Sequence, residues 1–584
     1  MKFLRNLIAS ILGTLLALLI IFVLLISIAS LVGDSEKVIV KNNSVLELKL
    51  DKKVKDYAPK SDDPLEEILG LNSDKISLNN IINAIENAKT DENIKGISIA
   101  TLNINAGFAQ TQVIRNKLED FKESGKFIYA YADIYDQKSY YLSSVADSVF
   151  INPVGAVDFK GLSGEILYYK DLQDKTGVKM EVIRHGKYKS AVEPFLANEM
   201  SNENREQISS LLISVWDVLL NEMANSRSIS VEKLNNIADN ALGRKATLAV
   251  ENKLIDQAIY LDEYSSKIKL AMGADIDSEL KKVSMKDYIS SGKGRIKSSG
   301  SDRIAVVYAQ GEIIYGKGDE DFIGQDLIIN ALRKARKSKS TKAIVLRINS
   351  PGGSALASEL IWRELELTSE QLPVIVSMGN VAASGGYYIA CNADKIYAQP
   401  TTITGSIGVY GTIPNMSELA GNIGVNAEQV STNSAPNYSV FEPMTDEFRA
   451  VTKEGVEQVY TTFLERVSKG RGMLLEEVDK IAQGRVWSGV EAKEVGLVDE
   501  LGNLDDAIAY AAELAQLTDY RIRNYPSYKI DLEDRLNKFP FGKAKEQILK
   551  EELGEENFQI YMNLKNISNK RGVQARMPFI LDIK

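Results

Sequence analysis

Ser384 lies in Val381-Ala382-Ala383-Ser384-Gly385-Gly386, where an apolar strand gives way to a helix predicted to start near Tyr387. With alanine on one side and glycine on the other, nothing bulky crowds its Oγ, and a substrate carbonyl can approach as it would a nucleophile. The Gly385 amide opens that helix, and the glycine pair in Asn349-Ser350-Pro351-Gly352-Gly353-Ser354 can turn a second amide inward. Two such donors stabilise the oxyanion that forms when a carbonyl is attacked. Either motif alone reads as a turn. Behind successive strands, the two together describe half of an acyl-transfer site.

The other half is a base, because a serine hydroxyl is almost wholly protonated at neutral pH. The single histidine, His185, lies some two hundred residues before Ser384, and the single cysteine is Cys391. That pair forbids an intrachain disulfide, a thiolate zinc site and a histidine metal cluster, so the chemistry must run on hydroxyls, amines and backbone amides. The segment His185-Gly186-Lys187-Tyr188-Lys189-Ser190-Ala191 offers two lysines. A lysine enclosed in a low-dielectric cleft loses its charge more easily and can accept a serine proton near neutrality. An ordinary lysine is a solvated surface group. Chemistry alone leaves Lys187 and Lys189 open, with His185 a rival base for which no acidic orienter is identifiable.

These pieces sit on a duplicated chain. Residues 94–164 and 341–411 align at a constant offset, so that Tyr140, Tyr141, Ala146, Asp147, Pro153, Gly161 and Gly164 recur as Tyr387, Tyr388, Ala393, Asp394, Pro400, Gly408 and Gly411. Farther on, Gly243-Arg244 recurs as Gly484-Arg485, and Leu254-Ile255-Asp256 as Leu497-Val498-Asp499. The catalytic elements do not recur. Gln137 stands at the Ser384 position, INAGF replaces the Pro-Gly-Gly turn, and the second repeat has no counterpart of the lysines. Each repeat keeps one half of a pair, which points to a site built across their interface.

Short apolar strands (KGISIA, KAIVLRI) alternate with helical runs such as Gln207 to Ala224 and Asp446 to Lys469, which predicts two α/β domains with mainly parallel sheets. The Ser, Gly and Lys-rich stretch Ile289 to Arg303 reads as a surface linker between repeats placed at 34–295 and 296–518. A charged, helix-like segment, Leu532 to Leu553, then marks an appended arm over 519–584, whose apolar end, Met577 to Ile583, is expected to pack on a neighbouring subunit or in its groove.

Ahead of both, Leu7 to Val32 is almost entirely apolar, long enough to cross a bilayer and longer than the apolar part of a cleaved signal peptide. Lys2 and Arg5 precede it, and Asp34 and Glu36 follow, which places residues 1–33 as an uncleaved anchor with a cytoplasmic N-terminus and both repeats on the outer side. A net charge of −9 gives no global field to gather nucleic acid.

NSPGGS, VAASGGYY, TGSIGVYG and GKYKSAVEPF, with the tandem repeat and the anchor, closely resemble the long, two-domain signal peptide peptidases of the SppA (protease IV) family. The resemblance implies a crotonase-like, Clp-protease-like fold of spiral ββα units, Ser384 as nucleophile and Lys189 as base. It further implies Ser406 orienting the lysine amine, and Gly353 and Gly385 amides as the oxyanion hole. It implies a homotetramer on the bacterial inner membrane that degrades cleaved signal peptides and similar apolar peptides, with no cofactor and no metal. A crotonase-like acyl-CoA enzyme and a non-catalytic membrane scaffold are the competing readings. The outward topology disfavours the first, and the reciprocal Ser and Lys disfavour both.

Overall fold

A computed structural model describes residues 2–32, 38–59, 75–296, 298–433, 437–528, 558 and 573–577. The predicted apolar runs form strands. KGISIA becomes Ile94–Ile99 and KAIVLRI becomes Thr341–Ser350. In the first repeat the sheet runs Gln257–Ala258, Ser148–Ile151, Phe127–Ala132, Ile94–Ile99, Ser44–Leu48, Lys282–Ser284, every pair parallel. The second runs Val486–Ser488, Ile403–Gly405, Val374–Ala383, Thr341–Ser350, Arg303–Gln310, Arg521–Tyr525, parallel except at the Val486–Ser488 edge.

Both sheets are covered on both faces, as parallel sheets must be, and period-two alternation divides each strand between two cores. Along Arg303–Gln310, Ala305, Val307 and Ala309 join one cluster with Ile361 and Phe463, while Ile304, Val306 and Tyr308 join another with Ala507, Ile508 and Ala511.

The residues that recur between repeats are explained by matching bonds. Tyr140 Oη donates to the Leu254 carbonyl at 2.9 Å, and Tyr387 Oη to the Leu497 carbonyl at 2.8 Å. Asp147 Oδ2 accepts from Ile128 N and Asp394 Oδ2 from Val374 N. Asp256 and Asp499 do the same for Val149 and Ile396, and each takes an arginine, Arg227 or Arg471. These side chains close the ends of strands whose amides would otherwise lack partners.

Asn202–Arg227 overruns its predicted span at both ends, because its cap, Ser201 Oγ accepting from Asn204 N, lies outside the apolar pattern. Asp446–Arg471 starts where predicted, with Thr445 Oγ1 accepting from Phe448 N, and runs two residues past Lys469 to the left-handed Gly472. The expected linker is partly ordered as helix: Met285–Tyr288 runs into a π-turn, Ile289–Lys293, and Tyr288 Oη donates to buried Asp91. Leu532 to Leu553 lies outside the described residues.

The N-terminal run forms one helix, Lys2–Val32. Its side chains are described only as far as residue 20 and its acidic flank is not described; among the described residues no helix is long and apolar enough to cross a membrane.

A third sheet joins the repeats, in the order Phe322–Gly324, Glu312–Ile314, Gly352–Ser354, Val573–Arg576, Val409–Asn415, Lys179–His185. Its last pair is antiparallel and runs in unbroken register from Val409↔His185 to Asn415↔Lys179, which fixes where the first repeat's lysine segment enters the second. A buried ion pair adds a second clamp. Asp56 of the first repeat accepts from Arg347 Nε of the second at 3.2 Å and from Gln110 Nε2 at 3.0 Å, while Arg347 Nη1 donates to Ser377 Oγ and the Met378 carbonyl, both at 2.8 Å. Removing one partner strands the other charge in the interior, at about 3–5 kcal/mol. Asp56→Ala is expected to lower the unfolding free energy by that amount, and a loss under about 1 kcal/mol in urea unfolding would show that the repeats do not depend on this clamp.

Candidate active site

Strand Val374–Ala383 ends at Ser384, and helix Gly385–Tyr388 starts at once, two residues earlier than predicted. Ser384 makes the turn with φ 54° and ψ −115°, a conformation that costs a residue with a Cβ about 1–3 kcal/mol and lifts its Oγ clear of the strand. Ser384 N donates to the Gly405 carbonyl at 2.8 Å, and Tyr388 N to the Ser384 carbonyl at 2.8 Å, so both neighbours hold the elbow. Pairing of Ser350 with Ala382 sets the Pro-Gly-Gly turn beside it. There Gly352 takes φ 96° and Gly353 φ 155°, which L side chains rarely adopt. A Cβ built on Gly352 would lie 2.8 Å from the Gly385 amide nitrogen, so the two glycine segments converge on one small space.

The lysine arrives from the other repeat. Strand Lys179–His185 ends, Gly186 reverses the chain at φ 102°, and Tyr188 N donates to the Gln483 carbonyl at 2.9 Å. Gln207 Nε2, on the long helix, donates to the Tyr188 carbonyl and to Ser190 Oγ. This places Lys189 Nζ 2.9 Å from Ser384 Oγ, 2.9 Å from Ser406 Oγ and 3.0 Å from the Ser406 carbonyl. Ser384, Lys189 and Ser406 are all fully buried. Burial, with no compensating negative charge, holds the Lys189 amine well below the ordinary lysine range. A neutral amine has two N–H groups and one lone pair. With the two N–H groups directed at the Ser406 oxygens, the lone pair remains for the Ser384 hydroxyl.

The three rival bases separate cleanly. Lys187 is exposed with its Nζ over the Tyr188 ring, and the His185 ring stacks on Tyr460 at 4.0 Å, so Lys189 is the one bonded to Ser384.

Two residues with a part in the site were missed as such. Gly484, at φ 83°, lies so close that a Cβ would stand 2.7 Å from Lys189 Cα, and a Cβ on Gly408 would stand 3.1 Å from Lys189 Cδ. Their recurrence in the repeats was the visible signal. It did not reveal that the lysine stem rests on them. Gly484→Ala is expected to displace Lys189 and lower kcat/KM about 10²-fold with the fold retained, as small misplacements of a catalytic group do; an unchanged rate with unchanged circular dichroism would refute that packing role. In the first repeat the corresponding place is closed. Gln137 Nε2 donates to the Gly161 carbonyl at 2.9 Å and its Oε1 accepts from Lys160 N and Gly161 N, a filled copy of the Ser384–Gly408 contact.

This serine elbow, amine and paired amides can carry out acyl transfer. Comparison with known proteins agrees in kind. The profile of Peptidase family S49 matches twice, over residues 120–275 and 366–518, and that of Clp protease matches residues 297–405. Protease 4 of Haemophilus influenzae is 37% identical, with the match covering 88% of this chain and 85% of that protein. The chloroplastic serine protease SPPA of Arabidopsis thaliana is 34% identical over 74% of this chain and 64% of its own. A solved structure of a ClpP1 mutant from Listeria monocytogenes superposes with a TM-score of 0.24 at 18% identity, covering 35% of this chain and 94% of that one; the α/β fold described above does not rest on it.

Proposed function

Since this chain belongs to peptidase family S49, as an SppA-type serine protease, we propose that it is a membrane-anchored endopeptidase using a Ser384–Lys189 dyad on cleaved signal peptides and similar apolar peptides. The observation that carries the dyad is the 2.9 Å contact between Lys189 Nζ and Ser384 Oγ in a buried site with no opposing charge. Neutral Lys189 takes the Ser384 proton as Oγ attacks the scissile carbonyl. The oxyanion is held by the Gly353 and Gly385 amides. Lys189 then passes its proton to the leaving amine, and a water, deprotonated by the same lysine, resolves the acyl-enzyme. Ser406 orients the amine throughout.

The apolar run of sequence Leu7 to Val32 supports the anchor, with Lys2 and Arg5 on the cytoplasmic side of a bacterial inner membrane and the repeats outside. The family resemblance supports a homotetramer. The test is hydrolysis of a quenched apolar signal-peptide substrate by the full chain in detergent, with light scattering for the assembly. Turnover by the parent in a tetrameric particle is the expected result. A folded parent that cleaves no apolar peptide removes the reading.

A further inference from the structure

The strand Val573–Arg576 fills the gap between Gly352–Ser354 and Val409–Asn415 in the third sheet. It pairs antiparallel with both neighbours: Gly352↔Arg576, Gly353↔Ala575 and Ser354↔Gln574 on one side, Tyr410↔Gln574 and Gly411↔Val573 on the other. Met577 N donates to the Pro351 carbonyl at 2.6 Å. Bonded pairs alternate along an antiparallel ladder, so Gly353 and Ala575, two residues on, again exchange N–H···O bonds, and the Ala575 carbonyl accepts from the Gly353 amide.

That carbonyl points into the catalytic space. A Cβ on Gly352 would lie 2.2 Å from the Ala575 oxygen, and one on Gly385 would lie 2.9 Å from it. The Ala575 oxygen therefore stands between the two glycine segments proposed to hold the oxyanion, where the carbonyl of a bound peptide's scissile residue belongs. Ala575 is fully buried, so the side chain accepted there is a small one. Beyond it Arg576 Nη1 meets Glu312 Oε1 at 3.3 Å, and Met577 packs against the core of the first repeat. Of the apolar end Met577 to Ile583, expected on a neighbouring subunit or in its groove, only Met577 is among the described residues, and the strand that leads to it lies in the chain's own third sheet.

We propose that Val573–Met577 is a tethered competitor of substrate, an extended peptide with a small residue at the scissile position, seated in the substrate's register and clasped by Arg576–Glu312. This rests on the peptidase reading of the same site. A tether supplies an effective concentration on the order of millimolar, so a strand with an intrinsic dissociation constant of about 10 µM leaves roughly one site in a hundred open. Substrate must compete for the groove. The apparent KM rises while kcat at saturation does not.

The test compares full-length parent, Arg576→Glu and Ala575→Pro on a quenched apolar peptide. The first variant breaks the ion pair, and the second removes the Ala575 N–H from the ladder. Both are expected to lower KM at least 10-fold with kcat unchanged, and a synthetic peptide of residues 570–584 added to Arg576→Glu should restore the high KM. Equal KM values in all three chains, or no effect of the peptide at about 1 mM, overturn the proposal. So does a parent whose intact mass shows cleavage after Ala575 when Ser384→Ala is whole, because the strand is then a substrate. Binding of the fluorescent peptide to Ser384→Ala/Arg576→Glu, read by anisotropy, needs no turnover. Binding without hydrolysis in any chain defeats the peptidase reading and leaves this one standing; hydrolysis without binding does the reverse.

Discussion

Ser384→Ala is expected to lower kcat on an apolar peptide by about 10⁴-fold or more, the scale on which hydrolases lose activity with their nucleophile. The loss is chemical, because little else at the elbow changes. The Ser384 amide keeps its bond to Gly405, and Lys189 Nζ keeps both Ser406 oxygens. Alanine pays the same backbone strain as serine at φ 54°, so thermal unfolding should shift little. Stopped assays under saturating substrate, with melting curves alongside, give the answer. A variant retaining more than about 1% of the parent rate would place the nucleophile elsewhere.

Lys189→Met should cost about 10³–10⁴-fold in kcat/KM, within the range for a lost general base, and it should also alter the pH dependence of both rate and stability. A protonated lysine cannot take the Ser384 proton. In the parent, kcat/KM therefore rises with pH through the lowered Lys189 pKa, and that acid limb should be missing from whatever rate the variant retains. For stability the sign follows from proton counting. Between the lowered native pKa and the unfolded value near 10.5, the unfolded chain binds a proton that the native chain does not, which favours unfolding. The parent thus loses stability as pH falls from about 10.5, and the loss levels off below the native pKa. Methionine fills similar space and binds no proton, so the variant should gain on the parent as pH drops from 10.5 toward 7, in urea titrations at each pH. A parent stability that does not change across that window relative to the variant would mean the amine is charged in the fold.

Much of this was legible in the chain. The tandem α/β repeats showed in recurrent residues, because Tyr140, Asp147, Asp256 and their counterparts make local bonds that each repeat needs for itself. Ser384 and the glycine turns showed for a related reason: a nucleophile elbow and an amide cradle are built within a few residues, from backbone that only small side chains allow. Helix ends were less evenly legible: the start at Asp446 was read, but Ser201 acts through a single capping bond that an apolar period does not register, and that helix begins five residues before its predicted start.

What the sequence could not decide by its own chemistry was which base serves the serine. Lys187 and Lys189 are two residues apart and chemically equal, and the family resemblance favoured the second. The folded chain separates them physically, because the antiparallel pairing of Lys179–His185 with Val409–Asn415 and the close approach of Gly408 and Gly484 bury one amine and leave the other in water. The strand Val573–Arg576 is a stronger case. Nothing in GVQAR marks it for the groove, since strand addition works through backbone groups common to every sequence. The sequence by itself determined the repeats, the serine turn at Ser384 and the glycine turns beside it, which depend on neighbours along the chain. Only the tertiary structure decided the burial of Lys189 against Ser384 and the place of Val573–Arg576 in the third sheet, because both depend on desolvation and pairing between segments far apart in the chain.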